Sequence, residues 1–294
     1  MEILQGRKAK YIIESQTGEH GKFGGICIGT VEGTGQKVSI KILKRYSWQL
    51  PEVLSRLQQI DYKHIAKVLE FFVKDRCLYI VREYVEGFDL KSVLDDSRLR
   101  RKVGWKNFVV AGISLLNGLE VIHNAGILHR DIKPSNVVVR FSGNGKREDA
   151  DFNDIVLIDF EQASLYPDVS EEKAPFAMLY SPPEMLMGFN SLVCPSSDLF
   201  SVGIMLFQLI SGESPYPESN PEYIMNLQLT YPIKKTLWMK DRIFQVISRA
   251  THKQAFRVSP SRMSNAEKEK YLSMGIDGRY QTAGEMREEM QSCL

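Results

Sequence analysis

Hydrophobic positions divide the chain into two stretches of different period. Through the first 85 residues they come in short β-branched or aromatic runs: Tyr11–Ser15, Gly25–Thr30, Lys37–Leu43, Ala66–Val73 and Cys77–Glu83. Gly, Asp and Lys separate these runs, a pattern that predicts strands. Between the third and fourth, Val53, Leu54, Leu57 and Ile60 follow a helical period, and Pro51 suits the first position of that helix. From Asp89 the period lengthens. Phe108, Val109, Ile113, Leu116, Leu119 and Ile122 mark a helix that stops before Asn124-Ala-Gly126. Two short strands, Asn136–Phe141 and Asp154–Phe160, flank a polar loop, and helical spacing resumes at Ser197–Ser211 and toward the C-terminus. Ser259–Lys270 is polar and charged, the composition of an exposed insertion. The pattern predicts a small β-rich lobe (about 1–85) and a larger helical lobe (about 89–294), with Val85-Glu-Gly87 as the hinge (about 83–88).

Composition narrows the function classes. The chain has 294 residues, 43% hydrophobic and 25% charged, which is ample core material for a globular protein. Thirty-eight Lys+Arg against 36 Asp+Glu leave a net +2, too balanced to favour nucleic acid or an anionic membrane as the main partner. The longest apolar run, Val202 to Ile210, is nine residues and is broken by Gln208, about half of a membrane span. The N-terminal stretch has no signal-peptide core, and no glycine follows Met1 for myristoylation. Cys27, Cys77, Cys194 and Cys293 form no CxxC pair, which fits buried thiols in a reducing, cytoplasmic compartment, with the nucleus left open. The five histidines have no HExxH spacing.

The most informative string is His129-Arg-Asp-Ile-Lys-Pro-Ser-Asn136. It sets Asp131, Lys133 and Asn136 on one loop before a strand. Phosphoryl transfer needs those types: a carboxylate to orient a hydroxyl, a cation near the moving phosphate, and an amide oxygen for Mg²⁺. Other pieces stand in a fixed order around it. A glycine-rich turn, Gly18-Glu-His-Gly21-Lys-Phe-Gly24-Gly-Ile26, precedes Val38-Ser-Ile-Lys41. Ile158-Asp159-Phe160 closes a strand after the loop. Pro182-Pro-Glu184, Asp198-Leu-Phe-Ser-Val-Gly203 and Arg279 follow.

Singly these are weak signals. In this order, over about residues 10 to 292, the sequence resembles a eukaryotic-type protein kinase domain, and Lys133 resembles its serine/threonine branch. The resemblance implies an α+β, two-lobed kinase fold: a small antiparallel sheet with one helix, then a mainly helical lobe. It also implies that Gly18, Gly21, Gly24 and Ile26 cover ATP, that Lys41 holds the α/β-phosphates, and that backbone groups near Glu83 and Val85 bind the adenine edge. Asp131 would orient the acceptor hydroxyl, Lys133 would neutralise the γ-phosphate, and Asn136 with Asp159 would hold Mg²⁺. The implied partner is a protein bearing a Ser or Thr hydroxyl. Arg279 would pair with Glu184, and Lys41 and Asp131 would face one cleft.

Departures from the family pattern leave activity open. Gly18 and Gly21 are three apart, where the family has two. An ungapped alignment puts Val53 where a helix glutamate should pair with Lys41, and Glu52 is one residue off, about 100° around the helix. Arg82 occupies the gatekeeper position and needs a carboxylate or phosphate partner, for which Glu52 and Asp159 are candidates. Asp159-Phe-Glu161 replaces D-F-G, Ala177 replaces a threonine, and Phe200 replaces a tryptophan. In the family Arg130 meets an activation-segment phosphate. Here Glu171 and Glu172 are candidate substitutes, against the simpler reading of a solvated acidic turn. Ser164, Tyr166, Ser170 and Tyr180 are open to phosphorylation. The sequence therefore supports an active Ser/Thr kinase, with a pseudokinase that binds nucleotide or serves as a scaffold as the alternative. A small-molecule kinase fits less well, because Lys133 and the Glu184/Arg279 pair belong to protein kinases. The predicted elements run from terminus to terminus, an outline compatible with a domain of a longer protein.

Overall fold

A computed structural model describes residues 2–21, 24–141, 147, 150–168, 177–256 and 258–294. The chain divides into two units, residues 1–86 and 87–294. The first is an antiparallel sheet of β1 (Glu2–Gln5), β2 (Lys10–Gly21), β3 (Gly24–Val31), β4 (Lys37–Leu43), β5 (Val68–Lys74) and β6 (Cys77–Glu83). Its strand order is β1-β2-β3-β4-β6-β5, and α1 (Leu50–Leu57) lies between β4 and β5 in sequence. β4 and β6 match the predicted runs residue for residue. β1 escaped the sequence reading because four residues with one buried side chain carry too little alternation.

Strand period sorts the side chains onto two faces. Tyr11, Cys27, Val38, Ile40, Phe72 and Val81 join Leu4 in one buried cluster that draws on all six strands. Lys41 and Ser39 project from the other face of β4. The register sets Ile26 and Ile80 opposite Lys41, and Arg82 opposite Ser39. The sheet curls until its two edge strands are linked. Glu70 on β5, only 2% exposed, accepts the N–H groups of Arg7 (2.9 Å) and Lys8 (3.0 Å) from the turn after β1. Its other oxygen accepts the Tyr11 hydroxyl, and burial together with that carboxylate pushes the phenol well above its ordinary pKa.

The second unit opens with β7 (Gly87–Asp89), α2 (Leu90–Asp95), α3 (Ser97–Asn124) and β8 (Ile127–Leu128). β9 (Val137–Arg140), β10 (Ile155–Leu157), β11 (Ser164–Leu165) and α4 (Pro183–Leu186) follow. α5 (Pro195–Ser211), α6 (Pro221–Thr230), α7 (Asp241–Ala250), α8 (Asn265–Asp277) and α9 (Ala283–Gln291) complete it. β7, β9 and β10 form one small sheet, and β8 pairs with β11. Gly87 is required there, since a Cβ would lie 2.1 Å from the Val139 carbonyl oxygen. Every residue of α5 from Ser196 to Ser211 is buried, so the nine-residue apolar run is the axis of this core. Among the described residues no helix is long and apolar enough to cross a membrane.

Two further elements differ from expectation. α3 begins eleven residues before Phe108 and is kinked at Gly104 (φ 78°, ψ 156°), a conformation open mainly to glycine. The polar stretch read as an insertion contains the start of α8, capped by a reciprocal Ser264–Glu267 box.

Candidate active site

The loop between β8 and β9 is built around a buried carboxylate from another element. Asp198, in the first turn of α5, accepts the N–H groups of His129 (2.9 Å) and Arg130 (2.8 Å) and bonds the His123 ring (2.9 Å). Burial pushes the Asp198 carboxyl up, but the His123 ring and these donors outweigh it and hold the group below its ordinary pKa. His129 is also buried, which lowers its pKa and favours the neutral ring; one of its nitrogens meets the Ile158 carbonyl at 3.2 Å.

On this support the loop brings three sequence-selected residues together. Lys133 Nζ donates to Asp131 Oδ2 at 2.6 Å. Asn136 Nδ2 donates to the same Oδ2 at 2.9 Å and to the Asp131 carbonyl at 2.8 Å. Both side-chain bonds fall on Oδ2, which leaves Oδ1 for a substrate hydroxyl. The Asn136 amide nitrogen is engaged, so its oxygen is the end available to a cation. The Ile158 N–H bonds the Asn136 carbonyl at 2.9 Å and brings Asp159 beside this group. Among the described residues no cluster of three or more His, Cys, Asp or Glu could hold a metal. One amide oxygen and one carboxylate nevertheless fit Mg²⁺, which is commonly bound by one or two protein oxygens plus substrate phosphates.

Backbone strain concentrates here. Arg130 and Asp159 both have φ of 66°, a left-handed conformation that costs a non-glycine residue about 1–3 kcal/mol. Glu161, where the family has glycine, is not among the positive-φ residues, so that replacement is tolerated. Arg130 Nη1 donates to Asp168 at 2.5 Å and Nη2 to Asn190 at 3.1 Å, with all three side chains buried. Asp168 is thus a counter-ion of Arg130, while Glu171, Glu172 and Ser170 lie outside the described residues. Glu184 and Arg279 form a buried two-bond pair at 2.7 and 3.1 Å. Phe200 is fully buried, with the Arg279 guanidinium 4.8 Å from its ring centre.

Ile26, Lys41, Glu83 and Val85 belong to the first unit, on β3, β4, β6 and the segment just after β6 respectively. Gly21 pairs with Gly24 across the tip of the β2–β3 hairpin, and Thr17 pairs with Ile26. Between those pairs β2 advances four residues and β3 two, so the extra length at Gly18 is absorbed as a bulge. Lys22 and Phe23 lie outside the described residues. Val53 is completely buried in α1, whereas Glu52 is 56% exposed and pairs with Arg56 at 3.1 Å. The bulge that would turn Glu52 toward Lys41 is absent from this regular helix. Arg82 is half-buried and donates to the Glu83 carbonyl at 3.5 Å.

Sequence reasoning named Asp198 only as part of a motif and missed Asp168, Asn190 and His123. An acid at the start of an apolar helix was a usable signal for Asp198. The other three depend on tertiary pairing.

Comparison with known proteins agrees with this geometry. Residues 11–268 match the protein kinase domain. Cyclin-dependent kinase 7 of Dictyostelium discoideum is 29% identical over 220 residues, 70% of this chain and 56% of that protein. CBL-interacting protein kinase 32 of Oryza sativa subsp. japonica is 27% identical over 247 residues, 78% and 52% of the two chains. CBL-interacting serine/threonine-protein kinase 26 of Arabidopsis thaliana is 26% identical over 231 residues, 74% and 48%. The chain thus spans about half the length of these relatives. With its curled antiparallel first lobe and its mostly helical second lobe, the chain belongs to the protein kinase domain family.

Proposed function

We propose that the chain is an active serine/threonine protein kinase that transfers the γ-phosphoryl group of ATP to a protein hydroxyl. The observation that carries this reading is the Asp131–Lys133–Asn136 cluster, hydrogen-bonded internally and held by Asp198 from below. Asp131 Oδ1 orients the acceptor hydroxyl and takes its proton as the new P–O bond forms. Lys133 neutralises the transferred phosphoryl group. Lys41 holds the ATP phosphates, the glycine hairpin of Gly18, Gly21 and Gly24 covers them with Ile26, and backbone groups at Glu83 and Val85 meet the adenine edge. Asn136 and Asp159 would hold Mg²⁺, which neutralises phosphate charge when bound. Positioning and electrostatics supply most of the acceleration, with no covalent enzyme intermediate.

A second reading, a pseudokinase, is favoured by one observation: the helix position expected to carry the lysine's partner is a buried valine. Two assays on the same protein decide between them: thermal stabilisation by Mg·ATP, and label transfer from ATP to a generic basic protein. The kinase reading expects both in wild type. Asp131→Asn should lower transfer by about 10²–10⁴-fold while keeping the ATP-induced stabilisation, and Asp159→Asn should lose transfer and the Mg²⁺ dependence of binding. Stabilisation without transfer in wild type would establish the pseudokinase.

A further inference from the structure

A recess that contains none of the catalytic-loop residues joins the α3 kink, the end of α5 and the start of α7. Its volume is about 430 Å³, within the ~300–1,000 Å³ range of ligand pockets. The floor is apolar, from Phe108, Ile210 and Ile243, and Trp105 and Trp238 form walls. Arg100, Arg101 and Lys240 also line it, and no carboxylate is among its lining residues. A chain of net charge only +2 thus gathers three cations around one greasy hollow.

These side chains differ in what already holds them. Arg100 donates to the carbonyls of Leu209 (3.3 Å) and Ile210 (3.2 Å) at the end of α5, a structural task that suits a cation near a helix C-terminus. Burial first, and then the nearby Arg101, lower its pKa against the opposing pull of Glu213. Lys240 sits over the Trp105 ring, 4.6 Å from its centre. Arg101 is exposed. The Gly104 backbone, a conformation costly for other residues, redirects the chain between Arg101 and Trp105. At the rim Trp238 is 64% exposed and Leu237 is 96% exposed, apolar surface left to water. A second cavity of about 400 Å³ adjoins it at Trp105, Lys240 and Ile243, and its lining adds Arg242 together with the Asp241 carboxylate. An extended hollow suits a chain segment better than a compact ligand.

We infer that this recess binds an acidic peptide segment of a partner protein, one that seats an aliphatic or aromatic side chain between Trp105 and Trp238 and presents carboxylates to Arg101 and Lys240. The occupant is concave-site material: the apolar residue fills the hollow and the acids meet the rim. Neither the catalytic loop nor nucleotide takes part, so the test does not depend on kinase activity.

Trp105 and Trp238 are two of the three tryptophans, which makes occupancy visible by fluorescence once Trp48 is replaced by Phe. The probes are three labelled peptides of equal length: glutamates flanking a central Leu-Phe pair, the same with lysines for glutamates, and the same with serines for Leu-Phe. The first is expected to bind and shift the emission. The other two should bind at least about tenfold more weakly. Arg101→Glu and Lys240→Glu, both at exposed positions, should weaken the first peptide by about tenfold or more without changing the melting temperature. No binding of the acidic apolar peptide overturns the proposal, as does equal binding of the serine version or unchanged binding by both charge-reversed variants. Phosphatidylserine vesicles that give the same emission shift, with the peptide giving none, would overturn it in favour of a membrane.

Discussion

The loop that carries Asp131 and the helix that carries Val53 solve the burial of polar groups in opposite ways. In the second unit Asp198, Arg130 and Asn136 are buried and hydrogen-bonded, so the local backbone is pinned from several sides. In the first unit α1 buries Leu50, Val53, Leu54 and Leu57 and turns its one acid, Glu52, outward. The loop is ordered by a polar network, the helix by side-chain packing. The Asp131 loop is held by its own unit, so its shape does not depend on an ion pair on α1.

The largest effect expected from breaking this contrast is at Asp168. Asp168→Asn leaves the Arg130 guanidinium buried beside a neutral amide, a change that should destabilise the second unit by about 3–5 kcal/mol in thermal or denaturant unfolding. Label transfer should fall through kcat more than through KM for ATP. Phosphatase treatment of wild type should leave transfer unchanged, because a carboxylate already meets Arg130. A phosphatase-sensitive rate would show that the pair is not sufficient.

A smaller effect sharpens the same point. Lys253 Nζ donates to the Gln228 carbonyl (2.7 Å) near the end of α6 and to the Tyr216 hydroxyl (2.5 Å), and burial followed by the Arg279 charge lowers its pKa to about 7. The unfolded chain keeps the ordinary 10.5, so between pH 7 and 10.5 it binds more protons than the folded chain. Stability must therefore rise with pH through that window, with the full penalty present below pH 7. A gain of about 1 kcal/mol between pH 7 and 8.5 is expected in wild type and should be absent in Lys253→Met. A flat wild-type profile would contradict it.

The smallest effect lies on α1. Glu52→Gln removes an exposed i,i+4 pair with Arg56 and should change stability by only about 0.3–0.5 kcal/mol and transfer hardly at all. A collapse of transfer in that variant would mean that Glu52 acts on the nucleotide side after all.

Local chemistry was legible where it depended on order along the chain. The strands at Lys37–Leu43 and Cys77–Glu83, the loop from His129 to Asn136 and the Glu184–Arg279 pair could all be read before any coordinates. Asp168 could not, because nothing in its neighbourhood distinguishes a buried counter-ion from a turn aspartate. α8 was obscured by its polar composition, although its Ser264–Glu267 box was there to be read. The Gly104 kink hid the first turns of α3, since the apolar period restarts after it.

The Glu70 clasp has a consequence for how the first unit meets other chains. Open sheets invite strand addition at their borders, and here one side chain ties the outermost strand to the turn at the opposite margin. Trimming the protein to residue 11, where the family match starts, would delete both amide donors and strand an enclosed carboxylate beside a single phenol. It would also make β2 the border strand in place of the four-residue β1, and so offer a longer template for strand addition.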